Sequence, residues 1–160
     1  MPNAGKSSLL NSLTKAHAKI GAYQFTTLDP NLGDLYGYII ADIPGLIEGA
    51  SEGKGLGTKF LKHIKRTKIL AHLVSFENGD EMMNVYKSIR KELKSFDPEL
   101  IEKDEIIILT KTDVTDEKTV QKKVKEFVKL KKPVFTISLY DDESVKSFSD
   151  ELIKILKSEK

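Results

Sequence analysis

Alternating apolar periods predict an α/β fold in which a mostly parallel sheet carries helices on both faces. Two observations carry that expectation. Ile106-Ile107-Ile108-Leu109 and Val134–Ile137 are short apolar runs bounded by charge or by Pro133, as strands buried on both faces are. Around them, apolar residues recur in steps of three and four, which marks one helix face.

The elements follow in chain order. Lys6 to Thr14 reads as a helix carrying Leu9, Leu10 and Leu13, with Ser7 and Ser8 at its start. Ala18 to Pro30 is polar and aromatic without a period, and reads as a loop. Leu32–Leu35 and Tyr38–Ala41 are two short strands, close enough across Gly37 for a hairpin. Asp42 to Leu56 is a glycine-rich loop, and Thr58 to Lys68 is helical. Ile69 to Phe76 is an apolar run of strand length. Met82, Tyr86, Ile89, Leu93 and Phe96 make one helix face, and Val120, Val124 and Phe127 mark the next helix. Val145, Phe148, Leu152 and Ile155 or Leu156 mark the last. The lysines from Lys118 to Lys132 are expected to form the solvent face of their helix.

The 160 residues suit one ordinary domain with a real core. Charged residues make up 31% and hydrophobic ones 39%, a globular rather than a disordered balance. No apolar run approaches the roughly 20 residues that span a bilayer, so no membrane partner is expected. The absence of cysteine excludes disulfides and thiolate metal sites and fits a cytoplasmic protein. A net charge of +2 is too small to argue for nucleic acid, and no DNA partner is expected. His17, His63 and His72 lack ligand spacing and read as structural or surface residues.

Ligands of an open parallel sheet sit at the carboxyl ends of its strands, and the motifs fall there. Asn3-Ala4-Gly5-Lys6-Ser7-Ser8 reads as the last part of a phosphate-binding loop, G-x-x-x-x-G-K-[ST], running into a helix. Its backbone N–H groups would wrap phosphates, Lys6 would reach the β- and γ-phosphates, and Ser7 would ligate Mg²⁺. The pattern's first glycine would lie one residue before Met1, and an apolar strand would precede it. The expectation is therefore a sheet lacking its first strand, with a gap or a non-native pairing between the Tyr38 and Ile69 strands. Asp42-Ile43-Pro44-Gly45 follows a strand. The Asp42 carboxylate can hold a water on Mg²⁺, and the Gly45 N–H can approach a γ-phosphate with no side chain in the way. Thr110-Lys111-Thr112-Asp113 follows the next, where Asp113 can accept from the N1–H and 2-amino group of guanine. Ser138-Leu139-Tyr140 follows the last, and its backbone N–H groups could meet the guanine O6.

The stretches PNAGKSSLLNSL, AYQFTTLDPNLG, ADIPGLIEGASEGKGLGTKFLKHIKRT and ILTKTD closely resemble the guanine-nucleotide domain of the Obg GTPases, a P-loop NTPase fold. The resemblance runs nearly end to end. It implies GTP and GDP as ligands, Mg²⁺ as cofactor, and a role in large ribosomal subunit assembly. It makes Phe25-Thr26-Thr27-Leu28 the first switch, with Thr27 as the other Mg²⁺ ligand, and Asp42 to Gly45 the opening of the second. Lys6, Thr27 and Gly45 then carry catalysis, while Lys111 and Asp113 hold the base. Thr110 stands where the family has Asn, which implies weaker guanine affinity. Leu139 stands for an alanine at a backbone contact. Leu46 occupies the place of a water-orienting glutamine in many small G proteins, so hydrolysis should be slow. Asn3 matches a position that in several slow GTPases helps hold K⁺ beside the phosphates. Lys59, Lys62, His63, Lys65, Arg66 and Lys68 give one helix a basic face, either a solvated surface or a ribosomal RNA contact.

Three readings compete. The chain is a slow Mg²⁺-dependent GTPase, a nucleotide-gated ribosome- or RNA-binding module with incidental hydrolysis, or an incomplete fragment with impaired nucleotide binding.

Overall fold

The computed structural model describes residues 6–14, 32–41 and 67–159. The order is α1 (Lys6–Thr14), β1 (Leu32–Leu35), β2 (Tyr38–Ala41), β3 (Ile69–Ser75), α2 (Met82–Phe96), β4 (Asp104–Thr110), α3 (Glu117–Val128), β5 (Val134–Ile137) and α4 (Asp142–Ser158). The Thr58 to Lys68 helix expected from the sequence lies almost wholly outside the described residues. Three short 3₁₀ turns, Phe76–Glu81, Pro98–Glu102 and Thr112–Val114, link the elements. They are too short to leave a periodic signal.

β1 and β2 form an antiparallel hairpin. Its two-residue turn, Tyr36-Gly37, has positive φ at both positions (51° and 88°), the geometry that matches the twist of paired strands. The Gly37 N–H donates to Asp34 Oδ1 at 2.7 Å and locks the turn. α1 lies close on β1. A Cβ at Gly33 would stand 2.2 Å from Thr14 Cγ2, so glycine is the residue that permits this approach.

β3, β4 and β5 form a parallel sheet in the order β3-β4-β5. Among the described residues no ladder joins β2 to β3. β4 is buried on both faces because its side chains alternate between two cores. Ile106 and Ile108 pack with Leu9 and Leu13 of α1 and with Phe148 and Leu152 of α4. Ile107 and Leu109 pack with Val74, with Met82 and Tyr86 of α2, and with Phe127 of α3. Edge-on aromatic pairs, Phe135 with Phe148 and Tyr86 with Phe127, tie one sheet side chain and one helix pair into these layers. Helices therefore cover both faces, as the period pattern implies.

The charged residue flanking the apolar run of β4 lies inside the strand. Glu105 is 7% exposed. Its carboxylate accepts from Arg90, lies 3.3 Å from His72 Nδ1 and 3.5 Å from Lys132 Nζ. His72 is thus structural, as expected. The solvent-face expectation for the α3 lysines holds for Lys118, Lys122 and Lys125 and is corrected at two positions. Lys132 reaches Glu105, and Lys123 is buried, with Nζ 3.4 Å from Glu126 and 3.9 Å from Asp80.

Tyr86 stacks on His72 beside this carboxylate. Burial, and then the Glu105 charge, push its phenol from 10.0 up to about 12. The folded protein therefore keeps this proton at pH values where the unfolded chain has lost it. Its contribution to stability is complete below pH 10.0 and is lost as pH rises toward about 12. Tyr86→Phe should remove that part of the alkaline decline, read by urea unfolding on either side of the window. An identical decline in the variant would exclude Tyr86 as its source.

Candidate functional site

Register brings three strand ends level. Ser75 pairs with Thr110, and Thr110 with Ile137. The residues that follow them therefore emerge together at the carboxyl edge of the sheet, where open parallel sheets bind ligands.

Each exit is shaped locally. After β3, Ser75 Oγ accepts from the Glu77 N–H at 3.1 Å, and Asn78 Nδ2 donates to the Ser75 carbonyl. That turn carries Glu77 back toward the edge. After β4, Lys111 adopts a left-handed conformation (φ 62°, ψ 45°) and starts the Thr112–Val114 turn. Such a backbone is uncommon for a lysine and is stabilised here by the Val114 N–H bond to the Lys111 carbonyl at 3.2 Å. Lys111 Nζ donates to Glu77 Oε2 at 2.6 Å. Both side chains are partly exposed, so this pair adds about 0–1 kcal/mol and acts mainly to orient the lysine.

The two halves of the proposed base site meet directly. Ser138 Oγ donates to Asp113 Oδ1 at 2.8 Å, across 25 positions of sequence. A carboxylate only accepts, so the hydroxyl proton must point to Asp113. The same oxygen accepts from the Tyr140 N–H at 3.3 Å. The Ser138 N–H is taken by Ser144 Oγ at 3.0 Å. Of the three amides expected to face O6, Ser138 and Tyr140 are thus engaged within the chain. Leu139 alone has no such bond among the described residues. Asp113 is exposed, and Thr110, at the strand end, is buried.

The backbone of Lys6 and Ser7 forms the first turn of α1, and Ser8 is exposed. Asn3, Ala4 and Gly5 lie outside the described residues, as do Phe25, Thr26, Thr27 and Leu28, and Asp42, Ile43, Pro44 and Gly45. Of the residues expected to bind nucleotide, the structure therefore brings together Lys111, Asp113, Ser138 and Leu139 at the level ends of β4 and β5. Among the described residues no cluster of three or more His, Cys, Asp or Glu could hold a metal. No described helix is long and apolar enough to cross a membrane.

Two contributors escaped the motif reading. Glu77 holds Lys111, and its only signal was its place two residues past a strand end. Ser144 holds Ser138, and as a small polar residue in a helix's first turn it carried no signal of its own.

A family model described as "50S ribosome-binding GTPase" matches residues 1–111. The chain belongs to that family. Within the family its similarity is to Obg proteins. It is 49% identical over 158 residues to "GTPase Obg" of Pelagibacter ubique, covering 96% of this chain and 48% of that protein. It is 49% identical over 165 residues to the Elusimicrobium minutum protein of the same name, covering 98% of this chain and 35% of the relative. Against the Rickettsia felis protein the figures are 46% over 164 residues, 99% and 49%. The chain spans about half the length of the relatives it matches, or less. The match to the 50S ribosome-binding GTPase model ends at Lys111, before Asp113 and Ser138. The Obg alignments cover nearly the whole chain, and their span takes in the second half of the site as well.

Proposed function

We propose that this chain is a guanine-nucleotide-binding module of the Obg type that hydrolyses GTP slowly with Mg²⁺. The observation that carries the reading is the Ser138–Asp113 hydrogen bond at the level carboxyl ends of β4 and β5. It fixes the carboxylate through one oxygen, and both oxygens keep lone pairs to accept from a base. Asp113 then takes the N1–H and 2-amino group of guanine, the Leu139 N–H meets O6, and Lys111, fixed by Glu77, lies against the base.

Asn3 to Ser8 wrap the phosphates, with Lys6 on the β- and γ-oxygens and the start of α1 adding its positive dipole end. Phe25, Thr26, Thr27 and Leu28 form the first switch, and Asp42, Ile43, Pro44 and Gly45 open the second. The donor set for the metal is the Ser7 and Thr27 hydroxyls and the Asp42 carboxylate through water. These are all hard oxygens, which suit Mg²⁺. When bound, the ion neutralises charge that builds on the phosphate oxygens. The Gly45 N–H fixes the γ-phosphate. Leu46 cannot orient a water, and the Asn3 amide oxygen is suited to a K⁺ ion. The basic residues from Lys59 to Lys68 offer their charge to the large ribosomal subunit or its RNA, in the cytoplasm.

Turnover is expected on the order of 10⁻³ s⁻¹ or slower, as for G proteins without an activating partner. ATP should not be hydrolysed measurably. Thr27→Ala should lower GTP turnover at least about tenfold and leave GDP affinity within about threefold, since the switch threonine meets the metal only with the γ-phosphate present. Turnover of ATP as fast as GTP would sink the proposal.

A further inference from the structure

The hydroxyl of Ser144 sits at the crossing of several hydrogen bonds that the base-reading motifs do not include. Ser144 is the third residue of α4. Its Oγ accepts from the Ser138 N–H at 3.0 Å. It lies 2.9 Å from the Ser138 carbonyl and 3.0 Å from the Asp141 carbonyl, between which its single proton is shared. Both backbone groups of Ser138 are thus tied to one side chain. The Asp141 N–H also donates to the Ser138 carbonyl at 3.1 Å. Asp141 in turn caps the helix, its Oδ1 accepting from the Glu143 N–H at 3.0 Å. The capped first turn of α4 is thus an anchor that Ser144 ties to Ser138.

The consequence reaches Asp113. Ser138 is 5% exposed, so an unpaired N–H there would have to find another partner by moving the loop. From this pinned backbone the Ser138 hydroxyl reaches Asp113 Oδ1 at 2.8 Å and accepts from the Tyr140 N–H at 3.3 Å, two bonds that select its rotamer. Pinning also removes the Ser138 N–H from competition and leaves Leu139 as the donor for a base oxygen.

We infer that Ser144 is a positioning residue that sets the selectivity of the base site for a purine carrying a 2-amino group. The inference rests on the guanine reading given above. Ser144 touches no ligand itself. It acts through Ser138 on the orientation of Asp113, and so on whether the carboxylate can take both guanine donors at once. Lys111 is held separately, by Glu77 Oε2 at 2.6 Å, so Ser144 acts on the Asp113 side of the site alone.

The test compares dissociation constants for GDP and IDP, which lacks the 2-amino group, in the unmutated protein and in Ser144→Ala, Ser144→Thr and Ser144→Val. Thr keeps the hydroxyl and Val has the same shape without it, so their contrast reads the hydroxyl apart from bulk and folding. The expected result is that Ser144→Ala and Ser144→Val each lose at least about threefold of the GDP-over-IDP preference, the scale of one net hydrogen bond, and that Ser144→Thr retains it. A merely structural role would weaken GDP and IDP alike and leave their ratio unchanged, and that outcome overturns the inference. An Asp113→Asn control separates the two levels. If it removes the GDP-over-IDP preference while the Ser144 variants do not, the base site stands and the role of Ser144 falls. If it leaves the preference intact, the base site itself is misplaced and both proposals fall.

Discussion

Asp113→Asn is expected to lower GTP affinity at least tenfold, about 1.4 kcal/mol, and to turn the preference toward xanthine nucleotides. The geometry makes this a clean exchange. Ser138 Oγ donates to Asp113 Oδ1, and an asparagine Oδ1 can accept the same bond. The side chain should therefore keep its place, with the amide nitrogen where the second carboxylate oxygen was. That nitrogen donates, so it faces the guanine 2-amino group donor to donor. The xanthine 2-carbonyl accepts and restores the pair. A site built around such a polar contact rejects the analogue that leaves it unpaired, because desolvation is not repaid. The measurement is titration with GTP, GDP and XDP of both proteins. An unchanged preference for GDP would remove Asp113 from the base site.

The meeting of Asp113 and Ser138 was legible because each follows an apolar run. Two such runs, if parallel neighbours, bring their following residues to one edge whatever the distance in sequence. The hairpin was legible from Gly37, and α2 from its stripe of Met82, Tyr86, Ile89 and Leu93. Other features were not, because they depend on partners far along the chain. Lys123 looks like its exposed neighbours Lys122 and Lys125, and only the fold brings Asp80 near it. Ser144 looks like any polar residue opening a helix. Glu105 looked like the boundary of a strand because an isolated carboxylate should not be buried. The strand runs through it, from Asp104 to Thr110, because its partners His72, Arg90 and Lys132 come from three other segments.

Glu105→Ala should therefore be among the most destabilising single changes in the molecule, at about 3 kcal/mol. Removing one partner of a buried ionic group costs roughly 3–5 kcal/mol, because the other charges stay behind without compensation. Arg90 and Lys132 are each 25% exposed and can recover some hydration, which places the effect at the lower end. The loss is distributed over β3, α2 and the approach to β5, since His72, Arg90 and Lys132 all turn to this carboxylate. Arg90 Nη2 also donates to the Ile101 carbonyl at 3.1 Å, so the anchor of the 3₁₀ turn before β4 should loosen as well. The sign of the pH dependence follows from the carboxyl itself. Burial pushes its pKa up, but the His72 hydrogen bond with the His72 and Arg90 charges outweighs burial and holds it below 4.5. A group depressed in the folded state contributes stability above its unfolded value and loses it as pH falls through the folded one. The gap between the unmutated protein and Glu105→Gln, which keeps the shape without the charge, should be full at neutral pH and close progressively below pH 4.5. Urea unfolding of the three proteins at neutral and acid pH measures it. Because Glu105 lies at the amino end of β4 and Asp113 beyond its carboxyl end, Glu105→Gln should leave the GDP-over-XDP preference untouched. A Glu105→Ala protein within about 0.5 kcal/mol of the unmutated one, the range of an ordinary surface change, would show that this carboxylate holds nothing together.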